Sequence, residues 1–171
     1  NVLFLAPTMS DVGPEACVDC FVGDAVGDAR VLAISYTRSV DEVLESWRGR
    51  HGATPEALAV VTVGGTTRSA AASTGTSETN GTVAVESLES PDDLTGLGIV
   101  IGQQLTPWAE EGGPVYLCFD SLTVLLQYVD LQRAFRFLHV LSGRAAGFGA
   151  HAHYHLDPTA VDDRTVATVS S

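Results

Sequence analysis

Five apolar residues, Val-Tyr-Leu-Cys-Phe at positions 115–119, run without interruption into Asp120. A short continuous run of this kind is typical of a strand buried on both faces, as in a parallel sheet. Three further runs share this character: 2–6, 31–36 and 58–63. The run 2–6 predicts a central, buried strand. Strands that alternate with helical stretches predict an α/β domain with a mostly parallel central sheet and helices on both faces.

Capping chemistry predicts where the helices begin and end. A hydroxyl or carboxylate before an apolar stripe marks a helix start, and a glycine after it marks an end. The predicted starts are Ser39 with Glu42, Ser90 with Pro91, and Asp130, and the predicted ends are Gly112 and Gly143. Residues 83–85 and 149–156 predict two more strands, and Pro158 precedes a last helix.

The chain is predicted to be one domain, 1–171, since no internal repeat and no second domain is visible. Residues 66–82 predict a flexible loop, because this stretch is dominated by Thr, Ser, Ala, Gly and Asn. No apolar run reaches the roughly 18 residues that span a bilayer, so no membrane partner is expected. The first and last residues lie inside strand-like and helix-like patterns, and we expect the chain to be part of a longer polypeptide.

The charge of the chain is strongly acidic. There are 21 acidic residues against nine basic ones, all nine are arginine, and the net charge is −12. Such a surface suits a cytoplasm rich in salt, where molar salt shortens the Debye length to about 3 Å and weakens self-repulsion. We therefore expect a halophilic, archaeal, cytoplasmic protein, with an acidic mesophilic protein as the alternative. A chain without a basic patch is not expected to bind nucleic acid.

The three cysteines, Cys17, Cys20 and Cys118, do not suggest a disulfide framework, because their number is odd. Cys17 and Cys20 form a C-x-x-C within a predicted helix, 15–22, which could be redox-active or bind a metal. No second C-x-x-C or nearby histidine completes a zinc set. Thiols packed against the sheet are the favoured interpretation.

The turn after the first strand, 6–16, is where a doubly wound fold binds phosphate. A working P-loop reads G-x-x-x-x-G-K-[ST], in which the lysine reaches the phosphates and the hydroxyl holds Mg²⁺. In this frame Thr8 and Gly13 occupy the glycine positions, while Pro14 and Glu15 replace the lysine and the hydroxyl. The chain contains no lysine in any frame. These changes predict weak or absent triphosphate binding.

The chain resembles RecA/KaiC-like ATPase domains over nearly its whole length. It is most similar to the haloarchaeal KaiC-like proteins of unknown function, sometimes called HTR-like, in which the P-loop is degenerate. Residues 1–7 resemble the strand that leads into a KaiC-type P-loop. Residues 115–123 are similar to the Walker B strand with the D-S-L-T that follows it, and 153–160 are similar to a segment of the haloarchaeal group.

The resemblance implies a three-layer, RecA-like P-loop NTPase fold with degenerate nucleotide-binding positions at Thr8, Gly13 and Asp120. In active relatives the third strand ends in two glutamates that prime the attacking water, and Gly64 and Gly65 occupy that position here. Asp120 could still position Mg²⁺, although a cap for the following helix is the favoured role. We therefore expect no catalytic residues, no cofactor and no enzymatic activity.

Histidines 151, 153 and 155 alternate along one predicted strand, so their side chains share a face. They are candidate ligands for zinc or nickel near Asp157. A structural or pH-sensitive row, on a polar face near the sheet edge, is the favoured interpretation. Three arginines on one helix, Arg133, Arg136 and Arg144, could form an interface or a remnant of a nucleotide-contacting arginine, but pairing with local acids such as Asp130 is favoured.

Three functions remain open from the sequence. The first is a non-catalytic scaffold or regulatory module that acts through a protein partner or self-association. The second is a sensor that binds a nucleotide or another small ligand weakly at the old crevice, through backbone groups and Arg38 or Arg68. The third is an enzyme that uses a metal bound by the histidine row.

Overall fold

A computed structural model describes residues 1–7, 27–51, 55–65 and 82–171. The described strands are β1 (Val2–Leu5), β2 (Arg30–Ser35), β3 (Ala57–Val63), β4 (Thr82–Leu88), β5 (Val115–Asp120) and β6 (His151–Leu156). The described helices are α1 (Val40–His51), α2 (Leu94–Glu111), α3 (Leu122–Tyr128), α4 (Leu131–Gly147) and α5 (Asp163–Val169). Strands and helices are interspersed along the chain, although α3 and α4 are consecutive helices and residues outside the described ranges separate β1 from β2 and β3 from β4.

The six strands form one sheet in the order β1-β6-β5-β2-β3-β4, and every neighbouring pair is parallel. The core of the sheet is β5 and β2, where Leu32 pairs with Leu117 and both are fully buried. The prediction that 2–6 is a central strand is wrong, because β1 is an edge strand of this sheet and Val2 and Leu5 are about half exposed.

Helices cover both faces of the sheet, so the α/β prediction is confirmed and the arrangement is consistent with three layers. On one face of the sheet α2, α3 and α4 pack against the strand side chains that point to that face, such as Leu117 and Phe119. On the other face α1 inserts Val43 and Trp47 against Val31 and Val60. Within the described residues no helix combines the length and the hydrophobicity that a membrane crossing requires.

Capping follows the predicted chemistry at three boundaries. Ser39 and Glu42 form a reciprocal capping box, in which each accepts from the backbone N–H of the other. The side chain of Asp130 accepts from the N–H of Arg133 at the start of α4, and Gly112, with φ of 74°, follows the end of α2. A positive φ favours glycine, which explains why α2 ends there.

Two boundaries differ from the predictions. Helix α2 is capped by Asp93, which accepts from Gly96 N–H at 2.8 Å, and not by Ser90. Residues 90–93 form a turn instead, in which Asp93 N–H donates to Ser90 C=O. Helix α4 continues through Gly143 to Gly147, because its buried stripe extends to Ala145.

Candidate functional site

The topology creates a crevice between the carboxyl ends of β2 and β5. From β2 the chain continues outward to β3 and β4, whereas from β5 it continues in the opposite direction to β6. In an open α/β sheet such a switch in direction is where ligands bind. Tyr36 N–H donates to Asp120 C=O at 2.7 Å, so the two strand ends are joined at the base of this crevice.

Asp120, which the sequence resemblance predicts to be a degenerate Walker B position, lies at this crevice and is paired. Its Oδ2 is 3.3 Å from Arg38 Nε and accepts a hydrogen bond from Thr37 Oγ1 at 3.3 Å. The two charged side chains are 23% and 17% exposed, so the ion pair is largely withdrawn from water. Asp120 is not the cap of α3, contrary to the prediction: the side chain of Ser121 accepts from Val124 N–H instead.

Ser35 shapes the turn that brings Arg38 to the crevice. Its buried hydroxyl donates to Arg38 C=O at 3.0 Å and accepts from Arg38 N–H at 2.8 Å. This pair of hydrogen bonds closes a tight loop after β2 and fixes the backbone of Arg38 near Asp120. The role of Ser35 escapes sequence reasoning, although a serine three residues before an arginine at a strand end is consistent with such a turn.

The end of β3 carries no carboxylate. Gly64 adopts φ of 74° and donates from its N–H to Leu88 C=O at 2.8 Å. A Cβ at Gly64 would lie 3.3 Å from the side chain of Pro91, so this glycine is favoured both by its conformation and by a close approach. Gly64 therefore joins the end of β3 to the turn before α2.

The carboxyl end of β6 contributes Asp157, which is buried. Its N–H donates to Thr123 Oγ1 at 2.8 Å, and its Oδ1 accepts from both the N–H and the hydroxyl of Thr159. These bonds tie the end of β6 to α3 and organise the following turn. Asp157 thus has a structural role next to the crevice.

The three histidines of β6 do not share one environment. His151 is exposed and stacks on Tyr116, whereas His153 and His155 are 0% and 8% exposed with ring centroids 4.8 Å apart. The strand β6 lies next to the edge strand β1, as predicted, but the predicted polar face is wrong, because Phe4 of β1 packs against both buried rings.

Burial lowers the pKa of His153 from its ordinary value to about 3, and the neighbouring His155 adds to this effect. Burial also lowers the pKa of His155, with Asp120 opposing the shift and Arg38 adding to it. Nε2 of His155 is buried without a hydrogen-bond partner in the described part of the chain. Both rings are therefore neutral near pH 7, which does not fit a row that switches at physiological pH.

A metal centre finds little support in the described ranges. No group of three or more His, Cys, Asp or Glu side chains there could hold a metal ion. Cys118 lies on β5 beside His153 and is disulfide-bonded, although the number of cysteines does not suggest a disulfide framework. An odd number of cysteines still allows one pair, and Cys17 and Cys20 lie outside the described residues.

The remaining predicted residues divide in two groups. Thr8 and Gly13, predicted as degenerate P-loop positions, lie outside the described residues. Arg68 and residues 66–81 of the predicted loop 66–82 also lie outside them, whereas Thr82 is the first residue of β4. Within the described ranges the arginines of α4 form no salt bridge with Asp130, whose side chain accepts from the backbone N–H of Arg133. Among the described residues, salt bridges involve only Arg30 and Arg38.

Fold and site define an α/β domain with an all-parallel sheet and a polar crevice, closed by an ion pair, at its topological switch point. Over residues 1–171 the chain matches the model of a family of unknown function, DUF7504, and it belongs to that family. No curated protein and no solved structure matched the chain.

Proposed function

We propose that this chain is a non-catalytic module on a RecA/KaiC-like domain, and that it acts as a scaffold or regulator through protein–protein association. The observation that carries the proposal is the state of Asp120. Its carboxylate is bound by Arg38 and Thr37, so the charge that would hold Mg²⁺ is already compensated.

Phosphoryl transfer needs a metal, a cation on the phosphates and a group that positions the nucleophile. The chain has no lysine, and the third strand ends in Gly64 and Gly65. The compensated Asp120 removes the third element of such a site. Each of these losses alone would weaken hydrolysis. Their combination supports a domain whose role is to bind another protein and not to hydrolyse ATP.

The topology supports the RecA/KaiC likeness. The strand that resembles the P-loop strand, β1, and the strand that resembles Walker B, β5, lie in one parallel sheet with their carboxyl ends at the same edge. The acidic, lysine-free composition supports a cytoplasmic location in a high-salt cell, where screening allows acidic surfaces to associate.

A ligand sensor is the second candidate, and Arg38 favours it. Its side chain is partly exposed at the crevice and interacts electrostatically with His155, whose buried Nε2 has no hydrogen-bond partner among the described residues. A small anion that replaced Asp120 as the partner of Arg38 would use this arrangement. Such a ligand would separate Arg38 from Asp120 on binding and would not itself be converted.

Thermal unfolding in molar KCl, with and without Mg-ATP, tests the proposal together with an assay of phosphate release. We expect no phosphate release above the protein-free rate and no shift of the midpoint. A ligand at a hundred times its dissociation constant would add about 2.7 kcal/mol of stability, which is easily measured.

A shift that Arg38→Gln abolishes, and that the control Arg164→Gln retains, would favour the sensor. Turnover by the pure protein would overturn the proposal.

A further inference from the structure

The edge strand β1 is short and loosely packed. It has four residues and pairs with a single described neighbour, β6, whereas the other edge strand, β4, has seven residues. None of residues 1–7 is fully buried, and Val2 and Leu5 are 44% and 49% exposed. A short edge strand with few buried contacts is the kind of element that opens locally while the rest of a fold stays closed.

Beside this strand lies a pair of buried histidines of β6. His153 and His155 are 0% and 8% exposed, and their ring centroids are 4.8 Å apart. In the strand register Val2 lies beside His153, and Phe4 lies beside His155. The ring of Phe4 packs against both imidazoles, at centroid distances of 6.3 Å and 6.1 Å. The loosely packed strand therefore forms part of the surroundings that keep water from the two rings.

Burial makes these imidazoles poor bases while β1 is in place. A proton would add a charge where water is excluded, and burial lowers the pKa of His153 from its ordinary value to about 3. The neighbouring ring of His155 adds to this effect, because a proton on one ring repels a proton on the other. Detachment of β1 takes Phe4 and the strand backbone away from the pair, so water reaches the rings and the penalty on the charged form is lost.

The other groups that face the pair from the described elements do not offset burial. At the end of β5, Asp120 raises the pKa of His155, but Arg38, after β2, lowers it, and burial remains the largest effect. Cys118 of β5 lies beside His153 and is disulfide-bonded, so it does not titrate. The strand β1 itself has no titratable side chain. The closed arrangement thus holds the pair neutral.

We infer that β1 is an acid-released strand, which detaches from β6 when a proton binds to the histidine pair that Phe4 contacts. In the open state a hydrated histidine has a pKa of about 6.5, so this state binds a proton that the closed state does not. The preference of His153 for the closed state is therefore complete above about pH 6.5 and is lost as the pH falls towards about 3. Release uncovers the backbone edge of β6, to which another extended segment can pair.

The size of the effect follows from the protonation of one histidine. Between about pH 7 and about pH 5, a group with a pKa of about 6.5 in the open state alone raises the opening constant about 25-fold. His155 would add to this increase, since burial lowers its pKa in the closed state as well.

Native-state hydrogen exchange of the purified chain in molar KCl, read by mass spectrometry, tests the inference. The reporters are the N–H groups of β1 and of Ala6, which donates to Leu156 C=O at 3.1 Å. Their rates are divided by those of an unstructured peptide at each pH, and low concentrations of urea separate local from global opening, because only global opening depends steeply on urea. We expect an opening constant for β1 that rises about 25-fold or more from about pH 7 to about pH 5 and is insensitive to urea. Amides of β2, around the fully buried Leu32, should exchange by the urea-sensitive route.

Variants of β6 identify the groups that take up the proton. In the double variant His153→Leu, His155→Leu, the opening constant of β1 should change by less than about threefold over the same pH range. His151→Leu is the matched control, because this exposed histidine lies on the same strand, and it should retain the full rise. Far-UV circular dichroism establishes that each variant is folded.

An opening constant of β1 that does not change with pH in the unaltered chain overturns the inference. A rise that the double variant retains overturns it too, since another group then binds the proton. The same holds for a rise that occurs only in the urea-dependent exchange shared with β2, because acid then unfolds the whole domain and does not release one strand.

Discussion

Asp120 and Arg38 illustrate how a residue's role depends on neighbours that are distant in the chain. The type and position of Asp120 could be predicted, because a carboxylate directly after an apolar strand lies at the carboxyl edge of a parallel sheet. Its pairing could not, since Arg38 and Thr37 reach it from β2, 82 and 83 positions away. Nothing local in the sequence distinguishes an aspartate that awaits a metal from one that already has a guanidinium.

The same limit applies to the histidines of β6. Their alternation correctly places them on one face of a strand, but the burial of that face depends on β1, which pairs Phe4 with His155. Alternation therefore predicts which side chains share a face and not what covers it. The exposed His151 and the buried His153 belong to the same alternating pattern in the sequence, which does not distinguish them.

Burial of His153 predicts that acid destabilises the protein well above the range in which carboxylates protonate. The folded-state pKa is about 3, whereas an unfolded histidine has a pKa of about 6.5. The unfolded chain thus binds a proton that the folded chain does not, so stability falls as the pH falls from about 6.5 towards 3. The loss from His153 alone should reach about 2 kcal/mol at about pH 5.

Urea unfolding at constant KCl, from about pH 8 to about pH 5, measures this slope. The variant His153→Leu should have a slope that is smaller by about one proton, and His151→Leu is the control on the same strand. A slope unchanged by His153→Leu would show that the ring accepts a proton in the folded protein.

Among the elements, α2 shows how tertiary contacts select between two possible helix starts. Ser90 and Asp93 are both residues that cap helices well. The structure uses Asp93, because Pro91 is held against the sheet: its C=O accepts from the hydroxyl of Tyr36, and its ring lies close to Gly64. Because these contacts hold Pro91 outside the helix, α2 begins only after it, at Leu94.

Substitutions at the two candidate caps should therefore differ in their effect. Asp93→Ala removes the acceptor for Gly96 N–H and should cost about 1 kcal/mol of unfolding free energy. Ser90→Ala removes only an exposed hydrogen bond to Asp92 and should cost less than about 0.5 kcal/mol. Chemical denaturation of both variants makes the comparison, and a larger loss for Ser90→Ala would contradict the assigned cap.

Where the residues of a cap lie close together in the chain, the sequence alone was sufficient to predict the helix boundary. The capping box of Ser39 and Glu42, the glycine after α2 and the cap at Asp130 all depend on residues within four positions of one another. The predicted end of α4 at Gly143 failed because a single exposed glycine does not stop a helix whose buried face continues. Tertiary packing of Ala145 outweighed the local signal.

For the whole molecule, the alternation of strands and helices predicted the class of fold, but the order of the strands had to come from the structure. Apolar character alone suggested that β1 is central, and it is an edge strand. An edge strand and a central strand both bury side chains against helices, so composition does not separate them.

The acidic composition predicts that salt stabilises the whole molecule. With 21 acidic residues and nine basic ones, self-repulsion opposes the compact state, and salt screens it. We expect the midpoint of thermal unfolding to rise by several degrees between about 0.1 M and about 3 M KCl, where 1 kcal/mol corresponds to about 2–4 °C. In the triple variant Glu45→Gln, Glu89→Gln, Glu110→Gln, the midpoint should rise less with salt. An equal rise in the midpoint would show that charge repulsion is not the cause.

The pairing of β1 with β6 has a consequence for how the polypeptide matures. Val2 lies beside His153, so β1 must wait for a strand that is synthesised much later. Neighbours such as β2 and β3 can meet early, but β1 meets its neighbour β6 only after the residues between them have been synthesised. Contacts that span so much chain are slow to form, and until then the apolar side of β1 is available to chaperones and to other nascent chains.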